Sequence, residues 1–114
     1  MNYKLRKPGI LSRGELWMYE FGRPDKRRPV LILSRPEAIA VLPTVMVAPV
    51  TSTVRGLPSE VLIGIAEGLK HESAVNLDHV QTVECARLSR HIGHLSPDRM
   101  RAVCRALAVA TGCD

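Results

Sequence analysis

The chain has 114 residues, of which 46% are hydrophobic and 24% charged, and this composition is typical of one globular domain. No apolar run approaches the roughly 18 residues that a membrane span needs, and no secretory signal follows the basic N-terminus, so a cytoplasmic protein without a membrane partner is expected. Three cysteines without a CxxC spacing argue against a disulfide framework or a structural zinc site. The net charge of +5 favours a polyanionic partner, either nucleic acid or an acidic protein.

The pattern of apolar residues predicts a mainly β domain. Residues 1–12 are interpreted as a basic arm and residues 13–114 as a single domain. Turn chemistry is concentrated in 22–28, and 36–40 could form a short helical turn. Strands are expected at 14–21, 30–33, 44–50, 60–65 and 90–95, with one or two more between 73 and 83.

The end of the chain changes to a helical period. Ser96 is a hydroxyl cap, Pro97 occupies the first helical position, and Gly112 is the stop signal. The predicted apolar stripe consists of Met100, Val103, Cys104 and Leu107. One amphipathic helix packed on a small, mostly antiparallel β-barrel is the simplest architecture.

Two buried strands carry polar chemistry at one end. Arg28 precedes the first strand, and Thr51 ends the second, followed by Ser52 and Thr53. Cleaving RNA without a metal requires a deprotonated 2′-hydroxyl, a neutralised phosphorane charge and a protonated leaving oxygen. An arginine fork suits phosphate oxygens, and a threonine hydroxyl can bind the same oxygens. The pair is a candidate phosphodiester site, whereas a solvated arginine beside a strand-ending threonine is the commoner explanation of such a pattern.

Residues 73–79 are a second candidate. Strand alternation would place Asn76 and Asp78 on one face, where they could read a base edge or accept a proton, and an Asx turn is the alternative. The same alternation turns His79 away from the polar pair, so a histidine acid or base is not supported. His91 and His94 are expected on opposite strand faces, which disfavours a metal site.

Aromatic residues share one face of the first strand. Trp17, Tyr19 and Phe21 alternate along it, and a core or a subunit interface is favoured over base stacking. The basic loop at 23–28 is most often a solvated turn, although its position directly before the strand favours phosphate contact.

Five segments together resemble the MazF/PemK toxins. They are RGELW (13–17), RPVLILS (28–34), VAPVTS (47–52), SAVNLD (73–78) and RHIGHLS (90–96). Each motif is short, but their order and spacing match the family from about residue 12 to 112.

The resemblance implies the toxin of a type II toxin–antitoxin system. Such an mRNA interferase is a sequence-selective, ribosome-independent endoribonuclease that uses no metal or other cofactor and leaves 2′,3′-cyclic phosphate and 5′-hydroxyl ends. The implied fold is an SH3-like β-barrel that forms a homodimer, binds single-stranded RNA and is blocked by an acidic, MazE-like antitoxin. DNA would be reached only through the antitoxin complex. A gyrase-poison-like module that binds a protein target is the alternative function, and a DNA-binding regulator is disfavoured because no helix-turn-helix is readable.

Carried over position by position, the resemblance implies three catalytic residues: Arg28, Thr51 and Asp78. Arg28 is assigned phosphorane stabilisation, since a guanidinium stays protonated. Asp78 stands where some members place a base or an RNA-contacting carboxylate. The general base stays unidentified, because many members have in place of 22–27 a longer glycine-containing loop with an added acidic or histidine residue that is absent here. RNA-binding residues are expected at Arg13, Glu15, Lys26, Arg27, Ser52, Thr53, Arg55 and Asn76. Asn76 stands at a position where one branch of the family has an arginine.

Overall fold

A computed structural model describes residues 11–22 and 26–114, which form one curled antiparallel sheet and two α-helices. The mainly β barrel with a C-terminal helix predicted from the sequence is therefore confirmed. In chain order the elements are β1 (Glu15–Gly22), β2 (Lys26–Ile32), α1 (Pro36–Val41), β3 (Thr44–Thr51), β4 (Glu60–Ile63), β5 (Ser73–Asn76), β6 (Gln81–Glu84), β7 (Leu88–His94) and α2 (Pro97–Thr111). Short 3₁₀ turns occupy Ile65–Glu67, Leu77–His79 and Cys85–Arg87.

Strand β3 lies at the centre of the sheet and pairs with β2, β5 and β6. One of its edges pairs with β2, and the order continues through β1 to β7. The other edge is shared, because β6 pairs with Thr44–Val47 while β5 pairs with Val50 and Thr51. β4 lies outside β5. The connection from β5 to β6 must therefore turn beside the middle of β3, a point that matters for the site.

Apolar side chains fill both faces of the sheet. On one face Leu16, Leu31 and Val75 are fully buried in a cluster that includes Val103 of α2. On the other face Val30 is fully buried, and Ile39 of α1 packs against its cluster. Neighbouring residues of β2 therefore point into different cores, and burial of each such side chain contributes about 1.5–3 kcal/mol. Among the aromatic residues, Tyr19 is buried, whereas Trp17 and Phe21 pack at the margin of the second core.

The terminal helix begins and ends as predicted. The Ser96 hydroxyl oxygen accepts a hydrogen bond from the Arg99 N–H at 3.2 Å, and Gly112 closes the helix with a φ of 74°. The predicted apolar stripe was wrong at Cys104, which is exposed. The buried residues of the helix are Val103 and Ala106. Within the described part of the chain, no helix is both long and apolar enough to cross a membrane.

Several strand boundaries differ from the sequence prediction. β2 begins at Lys26, because Lys26, Arg27 and Arg28 already pair with β1. β4 ends at Ile63, and Ile65 lies in a 3₁₀ turn with 78% of its surface exposed. β5 ends at Asn76. The predicted basic arm at 1–12 falls outside the described residues except for its last two.

Candidate functional site

Arg28 and Thr51 lie side by side on β2 and β3. The ladder pairs Val30 with Pro49, and the same register continued two residues further sets Arg28 across from Thr51. Directly opposed residues of an antiparallel pair project from the same face. Both side chains line the same two neighbouring clefts, so the structure brings the predicted pair together.

The two clefts share Arg28, Thr51 and Thr53, which form the wall between them. The small cleft has a volume of about 410 Å³ and the large cleft about 560 Å³. The small cleft is completed by Phe21, Pro49, Arg55, Asn76, His79 and Gln81. The large cleft is completed by residues of β1, β2 and β7, by Val50 and Ser52, and by Gly68, Leu69, Lys70, His71 and Ser73.

Positive charge dominates both clefts. Arg27, Arg28, Lys70 and Arg90 line the large cleft, and Arg55 lines the small one. No Asp or Glu of the described residues lines either cleft. A concave surface with a single sign of charge concentrates counter-ions, so this one favours a phosphate-rich chain.

The end of β3 is held by hydrogen bonds within the chain. The Thr51 hydroxyl oxygen accepts a bond from the Thr53 N–H at 3.0 Å, which leaves the Thr51 O–H able to donate to a ligand. Further along, the carboxylate of Glu60 accepts from the N–H groups of Arg55, Gly56 and Leu57 at 3.1, 2.9 and 3.3 Å. The loop that carries Arg55 into the small cleft is therefore ordered by a single carboxylate oxygen.

Replacing Glu60 by alanine is expected to release this loop. The three N–H groups would lose a charged acceptor, and bonds of this kind are worth about 1.5–3 kcal/mol each. Amide hydrogen exchange at residues 55–57 should accelerate by about tenfold or more, since 1.4 kcal/mol corresponds to tenfold. Glu60→Gln retains the accepting oxygen and is the matched control. Equal exchange rates in the alanine variant and the wild type would contradict this account of the loop.

The turn after β5 departs from the predicted strand. The Asn76 side chain accepts from the Asp78 N–H at 3.0 Å, and the Ser59 hydroxyl donates to the Asp78 carboxylate at 2.5 Å. The Leu77 N–H also donates to the Ser59 carbonyl at 3.0 Å. The alternation of strand faces through Asp78 was thus a wrong expectation, and the alternative, an Asx turn, is what forms.

This turn changes the position of two candidate residues. Asp78 faces Ser59 and does not line either cleft, whereas His79 lines the small cleft beside Arg28 and Thr51. The prediction that His79 points away from the polar pair was wrong, because strand alternation stops at Asn76. The Asx alternative in the sequence was the signal that could have found it.

The remaining predicted RNA-binding residues divide into two groups. Arg27, Ser52, Thr53, Arg55 and Asn76 line the clefts. Arg13 and Glu15 do not line either cleft: the Arg13 guanidinium donates to the Leu33 carbonyl, and the Glu15 carboxylate lies 3.0 Å from Trp17 Nε1 and 3.6 Å from His91 Nε2. The side chain of Lys26 lies outside the described residues. Sequence reasoning missed the contributions of Phe21, Lys70, His71, His79, Gln81 and Arg90.

Metal-binding groups are scattered rather than clustered. Within residues 11–22 and 26–114, no three of the His, Cys, Asp and Glu side chains come together in a way that could hold a metal ion. His91 forms an edge-to-face contact with Trp17, with ring centroids 5.5 Å apart.

The fold and the site define a class of protein: a small curled β-barrel with two cationic clefts that meet at a wall of arginine and threonine. Comparison with known proteins agrees with this class. Residues 12–111 match the model of a family described as PemK-like, MazF-like toxins of type II toxin–antitoxin systems. The chain is 47% identical over 103 residues to the probable endoribonuclease MazF5 of Mycobacterium tuberculosis, covering 90% of this chain and 94% of that relative.

Solved structures show the same fold. The Mycobacterium tuberculosis toxin MazF-mt6 superimposes with a TM-score of 0.81 at 38% identity, over 88% of this chain and 98% of that one. An endoribonuclease from a mycobacterial species, solved in complex with its cognate antitoxin, gives a TM-score of 0.83 at 27% identity, over 92% of this chain and 98% of that one. The chain belongs to the PemK/MazF family of toxins. Its enzyme class is accordingly that of an endoribonuclease.

Proposed function

We propose that this toxin cleaves single-stranded RNA at a phosphodiester held between Arg28 and Thr51, without a metal ion, and leaves 2′,3′-cyclic phosphate and 5′-hydroxyl ends. The observation that carries the proposal is the shared wall of the two clefts. A phosphate on this wall would meet a guanidinium and a hydroxyl from adjacent strands, with cationic surface on both sides.

The chemistry follows from what each group can do. Attack by the 2′-oxygen adds negative charge to the phosphate, and Arg28 stabilises that charge through paired N–H donors. The Thr51 hydroxyl donates to a second oxygen, and its own oxygen is oriented by the Thr53 N–H. Because β-branching restricts the threonine rotamer, little motion is needed to place this donor.

The RNA chain would extend from the wall into both clefts. The large cleft offers Arg27, Lys70 and Arg90 for the neighbouring phosphates. The small cleft offers the ring of Phe21 and the polar side chains of Asn76 and Gln81, which suit an unstacked base and its edge. Sequence selectivity would therefore arise mainly in the small cleft.

Partners follow from the charge and the family. An acidic antitoxin is the proposed inhibitor, because a net charge of +5 and two cationic clefts complement an acidic segment. We also assign a homodimer and a cytoplasmic location. DNA contact would come only through the toxin–antitoxin complex.

The test is cleavage of a long single-stranded RNA by the purified toxin in excess EDTA. Discrete cuts are expected. The new 3′ ends should resist direct labelling, as cyclic phosphates do, and the new 5′ ends should accept a phosphate, as 5′-hydroxyl groups do. Mapping the cuts at nucleotide resolution would give the recognition motif. No cutting of several varied RNAs would overturn the proposal and favour the module that binds a protein target.

A further inference from the structure

The proposed reaction still needs a group that takes the proton from the 2′-hydroxyl. Arginine and lysine are protonated and cannot accept it, and hydroxyl and amide groups are weak bases. No carboxylate of the described residues lines the clefts, so within this part of the chain the imidazoles are the candidates. His79 lines the small cleft and His71 the large one.

His79 is the better positioned of the two. It ends the 3₁₀ turn Leu77–His79, which is held by the Asn76 bond to the Asp78 N–H at 3.0 Å and by Ser59. Ser59 is itself buried, with 4% of its surface exposed, and it bonds both Asp78 and the Leu77 N–H. Leu77 anchors the turn in the core with 2% exposure. A base on a rigid turn keeps its geometry during catalysis, whereas His71 lies in an exposed connecting segment.

We propose that His79 is the general base of the cleavage reaction, an inference that rests on the proposed ribonuclease function. The neutral imidazole takes the 2′-hydroxyl proton while the O2′–P bond forms. The P–O5′ bond then breaks, and the 5′-oxygen takes a proton from water in the open cleft. Asp78 acts as a positioning residue, since its carboxylate holds the turn through Ser59 rather than touching the substrate.

Histidine changes charge between about pH 5 and 8, so this role has a pH signature. The cations that face His79 in the small cleft are Arg28 from β2 and Arg55 from the loop after β3. Neither loses its proton in this range, and the neighbouring Asp78 carboxylate is turned to Ser59. Because a general base acts only in its unprotonated form, the pH profile of kcat should differ between the wild type and a variant that lacks the base.

The experiment compares the wild type, His79→Gln and the control His94→Gln, an exposed histidine outside both clefts. On a short RNA with one cleavable linkage, kcat of His79→Gln should fall by about 100-fold or more, the usual size of general acid–base catalysis. The Kd for the same RNA with a 2′-deoxy residue at that linkage should change little. The pH profile of kcat should also change in His79→Gln. Added imidazole should restore cleavage by His79→Gly but not by Arg28→Ala.

The outcomes separate this inference from the function on which it rests. If the wild type cuts no RNA, the proposed function fails. If the wild type cuts but His79→Gln retains its rate and its pH profile, only the role of His79 is overturned. A loss of RNA affinity equal to the loss of rate would also overturn it, because a binding residue gives that result.

Discussion

Replacing Arg28 by alanine is expected to abolish RNA cleavage while the protein remains folded. The residue is only half buried at the start of β2, and its side chain lines both clefts rather than either core. Removing one preorganised donor to a developing oxyanion costs about 10²–10³ in kcat, and a cation that faces a phosphorane should cost at least as much. The measurement is single-turnover cleavage of a defined RNA, with circular dichroism and thermal unfolding in parallel.

Two further variants show what the guanidinium contributes. Arg28→Lys keeps the charge and loses the planar fork, so its activity should lie between those of the wild type and the alanine variant. Arg101→Ala removes an exposed arginine of α2 that pairs with Asp98 and lines neither cleft, so this variant should cleave normally. An Arg28→Ala protein that is folded and active would remove the central claim of the proposed site. One that fails to fold would assign the residue to stability instead.

The proximity of Arg28 and Thr51 could be predicted because its signal is local. Each strand is an unbroken apolar run with one polar end, and a central sheet position requires such a run. The pairing of β2 with β3 then places Arg28 beside Thr51 without further information. The helix at the C-terminus could be predicted for the same reason, since Ser96, Pro97 and Gly112 specify its ends within one segment.

His79 could not be placed by the same reasoning because two local rules compete there. Alternation favours a strand through 76–79, whereas the Asn76 side chain offers the backbone a competing hydrogen bond. The competition is decided by Ser59, which lies 19 residues before Asp78 and binds its carboxylate. A contact between distant segments cannot be read from either segment alone.

Arg13 and Glu15 were expected to bind RNA as part of the RGELW segment, but they line neither cleft. In the structure Glu15 instead accepts the Ser12 N–H at 2.8 Å and the Trp17 indole N–H at 3.0 Å, which fixes the start of β1. Arg13 bridges to Leu33 and approaches the Cys104 sulfur at 3.4 Å. Charge alone does not distinguish a ligand contact from a structural one.

The large cleft depends on a close approach of two backbone segments that the sequence does not reveal. The segment after β4 crosses β7 at two glycines, Gly68 and Gly93. A Cβ at Gly68 would lie 2.7 Å from the Ile92 carbonyl oxygen, and the φ of this residue is +103°. A Cβ at Gly93 would overlap the carbonyl oxygen of Glu67. The backbone that carries Lys70 and His71 into the cleft can pack here only because both positions lack a side chain.

Gly93→Ala is therefore expected to destabilise the protein and weaken RNA binding together. Because the overlapping atom belongs to the backbone, it cannot rotate away, and overpacking of this kind costs about 1–3 kcal/mol or more. At roughly 4–8 °C per kcal/mol for a small domain, the Tm should fall by about 5–20 °C. Below the transition, RNA affinity should drop because the segment that carries Lys70 is displaced, while kcat at saturating RNA should hold, since Arg28, Thr51 and His79 lie on other elements.

Gly64→Ala is the matched control for this crossing. Its added Cβ would lie 3.6 Å from its nearest neighbour, an ordinary contact, and its φ of −170° is extended backbone. It lies in the segment that crosses β7, so a general effect of disturbing that segment would show in Gly64→Ala as well. An unchanged Tm and RNA affinity in Gly93→Ala would mean that the segment can move away from β7 at no cost, and the large cleft would then not be a fixed part of the RNA-binding surface. A fall in kcat without a fall in affinity would instead mean that this crossing positions the reacting groups.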